Sequence, residues 1–241
     1  MTEELQNTEQ NQGMKFRINK KGDILLKIVY WGCAASGKTT AVDTLFKLIE
    51  EGEYNIEIIT NLKKIEMASG STLYFDRGVF RSKIQKKIYY HVYTVAGQVR
   101  FSPLRKKVFE GTNAIIFVFD GQRNRINDNI NSLKELKKIA GNRLISEIPM
   151  LVMVNKQDLP NPLTKSEMED ILRQEGLYYP AKHSLNTWNP IIYETIALYQ
   201  NSQNIYTIFC EMLRRISQYM LKDRTDFDKN PPNLPKDVPK L

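Results

Sequence analysis

Gly32-Cys33-Ala34-Ala35-Ser36-Gly37-Lys38-Thr39 fits the pattern G-x-x-x-x-G-K-[ST]. The chemistry open to such a run is to hold a chain of phosphates. Its two glycines let the backbone wrap closely, so that successive N–H groups and the positive end of a following helix face the anion. Ala34, Ala35, Ser36, Gly37, Lys38, Thr39 and Thr40 are therefore the expected phosphate contacts. Lys38 is expected to reach the β- and γ-phosphates, and the Thr39 hydroxyl to ligate Mg²⁺. The plain alternative is a glycine-bearing turn with a chance Lys-Thr, and the strand pattern before it and helix pattern after it argue against that.

Asn155-Lys156-Gln157-Asp158 closes a second apolar run. A carboxylate such as Asp158 accepts two hydrogen bonds from the N1–H and 2-amino groups of guanine, a donor pair adenine lacks. Polar pairing of that kind discriminates by about 10⁴-fold. The Lys156 stem can cover the base plane, and Asn155 can tie this loop to the phosphate loop. By itself N-K-x-D is common, but downstream of a phosphate loop the joint match is specific, and it selects guanine.

The elements that must position these residues are legible as patterns. Ile24–Tyr30, Ala114–Phe119, Met150–Val154 and Ile191–Tyr193 are apolar on both faces, as central parallel strands are. Helical stripes lie between them: Val42, Leu45, Phe46 and Ile49; Ile126, Ile130, Leu133, Leu136 and Ala140; and Ile205, Ile208, Phe209, Met212, Leu213 and Ile216. Thr72–Phe80 and Ile88–Val95 are joined by a short polar connection, which predicts an antiparallel hairpin. The fold class is α/β, with a mostly parallel six-stranded sheet, one antiparallel edge strand and helices on both faces. One domain is expected over residues 15–220. The Gln-, Asn- and Glu-rich residues 1–14 and the charged, proline-rich residues 221–241 are expected to be disordered tails.

With both motifs in place, the chain resembles the Ras-like small GTPase superfamily over its whole ordered domain, a three-layer P-loop G domain. It looks most like the MglA-type polarity and gliding GTPases of prokaryotes, with an Arf-like feature in Asn155–Asn161 (NKQDLPN). Thr72-Leu73-Tyr74-Phe75-Asp76 is similar to the switch I strand of that family. His91 to Val99 (HVYTVAGQV) resembles its switch II, with Thr94 in place of the Asp usual in small GTPases. The resemblance implies that Thr72 closes over Mg²⁺ and the γ-phosphate, that the Gly97 N–H contacts the γ-phosphate and that Gln98 orients the attacking water. Glu194-Thr195-Ile196-Ala197 matches the final guanine loop, with the Ala197 N–H reaching the base oxygen and Ile196 where the family usually has Ser.

Three departures bear on activity. Thr94 removes a carboxylate that holds a magnesium water, so metal affinity is expected to be lower. Ala34 and Ala35 crowd a loop that many small GTPases build with Gly. Ser71 stands where MglA-type proteins often carry an intrinsic arginine, and Arg77 and Arg100 are weak substitutes for it. Asp120 closes an apolar run after switch II, where it is expected to cap a strand end rather than hold magnesium. The implied function is a GTP/GDP switch that binds and slowly hydrolyses GTP to control a protein partner. The alternative, which Thr94 and Ser71 favour, is a constitutively nucleotide-bound, hydrolysis-poor assembly or scaffold subunit. An ATP-dependent P-loop enzyme is disfavoured by Asp158.

Composition narrows the partners. No apolar run reaches membrane-spanning length and the start lacks a secretion pattern, so a cytoplasmic protein is expected. Two cysteines, Cys33 and Cys210, are too few for a disulfide framework, and Cys33 is expected to be a buried filler. Thr2 rules out N-myristoylation and the Pro239-Lys240-Leu241 end carries no prenylatable Cys, so no lipid anchor is expected. Within a net charge of +8, residues 77–107 hold nine Lys or Arg and no Asp or Glu. This basic hairpin face, with the switch regions, suits an effector or peripheral contact with an anionic membrane. Equally, its lysines could guard an edge strand against aggregation. The charge follows switch elements and no RNA-reading motif accompanies it, which disfavours nucleic acid. Family resemblance points to a regulatory protein, first of all a roadblock-domain homodimer. Residues 177–190, with Tyr178, Tyr179, His183 and Trp188, form an added loop expected to pack on the surface.

Overall fold

A computed structural model describes residues 16–65, 75–96 and 102–227. Its elements run β1 (Arg17–Ile18), β2 (Ile24–Trp31), α1 (Lys38–Glu51), β3 (Ile56–Ile65), β4 (Phe75–Ser82), β5 (Ile88–Thr94), α2 (Ser102–Phe109), β6 (Ala114–Asp120), α3 (Ile126–Ala140), β7 (Met150–Asn155), α4 (Lys165–Gln174), β8 (Ile191–Thr195) and α5 (Ile205–Phe227). The sheet order is β3-β4-β5-β2-β6-β7-β8, with β1 paired to the start of β2. From β5 to β8 every neighbour is parallel. The expected hairpin is β4 antiparallel to β5.

Helices cover both faces because the strands are apolar on both. Leu26, Ile28 and Tyr30 point to the side where α1 and α5 place Val42, Leu45, Ile208, Phe209 and Met212. Val29 and Trp31 point to the other, against Leu133 and Leu136 of α3 and Met168 and Leu172 of α4. Strands β6 and β7 are buried at every position, which explains why their sequences do not alternate.

The sheet has eight strands where six were expected. The additional ones are β1, only two residues long, and β3, whose Glu57, Thr60, Asn61, Lys63 and Lys64 dilute its apolar signal. As the outermost strand, β3 needs only one partner, and its pairing with β4 shifts register twice between Ile58 and Lys63. The antiparallel edge is thus two strands wide. Helix α5 continues to Phe227, past the domain end expected at residue 220. Helix α4 starts at a capping box: Thr164 Oγ1 accepts from Glu167 N at 3.3 Å and Glu167 Oε2 accepts from Thr164 N at 2.9 Å. The 177–190 loop packs on the domain, with Arg215 Nη1 donating to Trp188 O at 3.1 Å and Tyr179 stacked on His183.

Candidate nucleotide-binding site

Strand β2 is the point at which the sheet's chain order reverses, with β5 on one side and β6 on the other. The loops leaving the carboxyl ends of β2, β7 and β8 converge there, as open α/β sheets place their ligands. The first is the phosphate loop. Gly37, at φ 98°, begins α1, and a Cβ there would lie 2.2 Å from Asn155 Nδ2. A Cβ on Gly32 would lie 2.2 Å from Val118 O. Both glycines are therefore required by close approach of neighbouring strands as well as by phosphate. Ala35 adopts a left-handed φ of 60° where glycine would be unstrained. Lys38 is 6% exposed, and its Nζ donates to Cys33 O at 2.6 Å and Ser36 Oγ at 3.5 Å. Thr39 is exposed on the first turn of α1, and Thr40 is half-buried beside it.

Asn155, 2% exposed at the end of β7, joins all three loops. Its Nδ2 donates to Ser36 O at 2.9 Å, and its Oδ1 accepts from Ala197 N at 3.0 Å and from Thr195 Oγ1 at 3.4 Å. The Ala197 N–H that family resemblance gives to the base oxygen is thus engaged by Asn155, and it reaches a base only by sharing or exchanging that bond. Thr44 Oγ1 of α1 donates to Ala197 O at 2.6 Å, and Ile196 is half-buried. Asp158 is exposed and makes no hydrogen bond among the described residues. Gln157 braces the turn, its Nε2 donating to Leu163 O at 3.0 Å and its N to Thr195 O at 3.1 Å.

Asp120 caps its strand and does more. It is fully buried; Oδ1 accepts from Gln122 N at 3.2 Å, and Oδ2 accepts from Lys156 Nζ at 2.7 Å. Lys156, at a left-handed φ of 69°, is thereby held on the base loop with its stem aligned by an ion pair. Two further residues escaped the sequence reading. Asn129, fully buried on α3, accepts from Asp120 N at 2.8 Å and Cys33 Sγ at 3.2 Å, and donates to Asp120 O at 3.0 Å. Arg125 Nη2 donates to Ala34 O at 2.9 Å. An arginine of this chain thus lies on the outer side of the phosphate loop, on a carbonyl. Cys33 is 4% exposed, and burial raises its thiol pKa, consistent with a filler. A signal for Asn129 exists: it interrupts the Ile126–Ile130–Leu133 stripe with a polar group on the core side.

At the carboxyl end of β5 the structure gives anchors. Thr94 is 3% exposed at the end of β5. Two residues on, Ala96 O accepts from Arg105 Nη1 at 2.9 Å, and Arg105 Nε is tied to Glu135 Oε1 of α3 at 3.0 Å. Arg105 is 5% exposed, which removes it from the basic face counted in the sequence. Arg81 is likewise paired, its Nε 2.8 Å from Glu57 Oε1. Ser71, Thr72, Gly97, Gln98 and Arg100 lie outside the described residues. Among the described residues no cluster of three or more His, Cys, Asp or Glu could hold a metal. The exposed Thr39 hydroxyl at the mouth of α1 is the hard oxygen donor there, which fits Mg²⁺ bound jointly with phosphate oxygens.

Burial first, opposed by Cys33 and assisted by Arg105, lowers the Lys38 pKa to about 8. Phosphate oxygens favour the ammonium form, so binding raises that value and takes up a proton. As pH rises from that value toward the ordinary lysine range, net proton uptake on nucleotide binding is expected and affinity should weaken. Calorimetric titrations with GDP in buffers of different ionisation enthalpy measure this directly. A heat independent of buffer would contradict it.

The model of the ADP-ribosylation factor family matches residues 14–202. Over 171 residues the chain is 31% identical to the mutual gliding-motility protein MglA of Myxococcus xanthus (strain DK1622), covering 68% of this chain and 84% of that protein. No helix among the described residues is long and apolar enough to cross a membrane.

Proposed function

The chain belongs to the ADP-ribosylation factor family of Ras-like small GTPases, and from that premise we propose that it is a GTP/GDP switch that hydrolyses GTP slowly by itself. The observation that carries this reading is Asn155, which ties the phosphate loop, the guanine loop and the final loop to one another. Lys38 then neutralises the β- and γ-phosphates, the turn from Ala34 to Thr40 supplies N–H groups, and Asp158 reads the base with Lys156 over its plane. Bound Mg²⁺ would be held by Thr39 and, in the GTP form, Thr72, and would neutralise phosphate charge. Gln98 orients the water and the Gly97 N–H meets the γ-phosphate.

Loss of the γ-phosphate releases the segments carrying Thr72 and Gln98, and with them the surface a cytoplasmic partner reads. That surface is the switch regions and the basic hairpin face. A roadblock-domain homodimer is the regulator to test first, since family resemblance points there. The second reading, a permanently loaded assembly subunit, rests on Thr94 and Ser71. One experiment separates the two: identify the nucleotide that co-purifies, then time a single turnover of loaded GTP. Measurable conversion to GDP, accelerated by a partner, supports the switch. GTP that persists over days with every candidate regulator supports the assembly subunit, and bound adenine nucleotide overturns both.

Thr94 sets a further expectation. Thr94→Asp restores a carboxylate to the magnesium water shell and should slow release of fluorescent GDP about tenfold in Mg²⁺, an advantage that EDTA abolishes. If the variant and wild type release GDP equally fast with and without EDTA, the magnesium assignment fails.

A further inference from the structure

The sheet face opposite α1 and α5 carries cations that the nucleotide site does not use. Register places Lys27 of β2 beside His91 of β5, Val29 beside Tyr93, and Arg77 of β4 beside Tyr93, all on one face. Arg17 of β1 joins them beside Leu25. Arg77 Nη2 lies 3.0 Å from His91 Nδ1, and the Lys27 ammonium and the Arg77 guanidinium stand 4.7 Å and 5.8 Å from the Tyr93 ring centre. Lys27 Nζ also donates to the Glu110 carbonyl at 2.9 Å.

Among the described residues this face carries more cationic than anionic groups, with Glu110 the carboxylate felt by Lys27. Among the described residues, Arg17, Lys27 and Arg77 have no ion-pair partner, whereas the neighbouring Arg81 is matched by Glu57. Arg77 Nε is buried with no hydrogen-bond partner among those residues. Burial, then the neighbouring Arg77, Arg17 and Lys27, lowers the His91 pKa to about 4; burial and Arg17, opposed by Glu110 and assisted by Arg77, lower that of Lys27 to about 8. A group built only to stabilise the sheet would be matched by carboxylates, as Arg81 is.

We propose that the Arg17–Lys27–Arg77–His91 face receives a carboxylate side chain from an extended acidic segment of a protein partner. The proposal rests on the switch reading above and names the partner chemistry of its hairpin face. Position supports it: β4 follows the segment that carries Thr72 and β5 precedes the one that carries Gln98. An occupant of this face therefore touches both strands that lead to the switch residues. Tyr89 and Tyr93 lie on the same face, their rings met by Arg81 and by Lys27 and Arg77, and tyrosines are enriched in protein interfaces. A bilayer would meet what protrudes, here Ile84 at the β4–β5 turn, 71% exposed. The cation group lies on the flat of the sheet, which suits an extended chain.

The test uses the full chain loaded with GDP or a non-hydrolysable GTP analogue and a fluorescent octapeptide alternating glutamate and valine. Binding by anisotropy is expected below about 1 mM. It should weaken at least about tenfold in Lys27→Gln/Arg77→Gln, recover in Lys27→Arg/Arg77→Lys, and vanish for the glutamine–valine peptide. Peptide binding should also raise the His91 imidazole pKa, read by NMR, by about one unit. The proposal is overturned if no binding occurs at about 1 mM, or if the double variant or the glutamine peptide binds as well. Capture by phosphatidylserine vesicles with the same loss in the double variant would overturn it in favour of lipid. Fluorescent-GDP retention, unchanged in the double variant, separates failure here from failure of the switch reading, which requires guanine-nucleotide binding itself to be lost.

Discussion

Asp158→Asn is expected to lower GTP affinity by about 10³- to 10⁴-fold and to make xanthosine nucleotides the better ligands. Guanine presents two adjacent donors, N1–H and the 2-amino group, which one carboxylate accepts together. An amide meets the 2-amino group with its own N–H, whereas xanthine's 2-oxo group accepts from it. Asp158 is exposed and makes no hydrogen bond among the described residues, so its replacement leaves the folded chain intact. Thermal stability without nucleotide should therefore be unchanged, which isolates the effect to the base. Competition for fluorescent GDP by GTP, XTP and ATP is the measurement. An ATP that competes with the wild type as well as GTP does would sink the guanine assignment.

Gln98→Leu should reduce partner-stimulated hydrolysis about 10³-fold while leaving GTP binding within about twofold. Phosphoryl transfer needs cationic charge on the γ-phosphate oxygens and a fixed water. On the proposed reading, Lys38 meets the first need in part. Arg125 does not meet the rest, because its guanidinium holds Ala34 O, and the N–H groups rather than the carbonyls of such a loop face phosphate. Ser71→Arg should accordingly raise the basal rate, by at least about tenfold. Single-turnover hydrolysis decides both. Fast basal turnover indifferent to Gln98→Leu would remove Gln98 from the mechanism.

The two loop motifs were legible in the sequence because each is a short contiguous run, and the structure sets them at the carboxyl ends of β2 and β7. Strands β6 and β7 were equally plain, being apolar without interruption. Strand β3 was hidden because an edge strand with one partner tolerates polar residues at most positions. Helix α4 is short and charged, and its start was marked only by the Thr164–Glu167 capping box. The Asp120–Lys156 ion pair, and Asn129 and Arg125 behind the phosphate loop, join positions far apart in the chain. No local pattern announces such partners; their pairing exists only once β6, β7 and α3 are side by side. The basic count over residues 77–107 misled in a definable way, since charge alone did not tell that Arg105 is buried against Glu135.

The bond from Ala197 N to Asn155 Oδ1 also makes one amide a clock. That N–H can exchange its hydrogen for solvent deuterium only when the final loop parts from Asn155, and the same side chain holds Ser36 of the phosphate loop. On the proposed reading its exchange rate therefore times the opening through which a bound nucleotide would leave, without any label on the nucleotide. A regulator that speeds nucleotide release by prising these loops apart will leave its mark on that amide. One that acts only on the magnesium side will not.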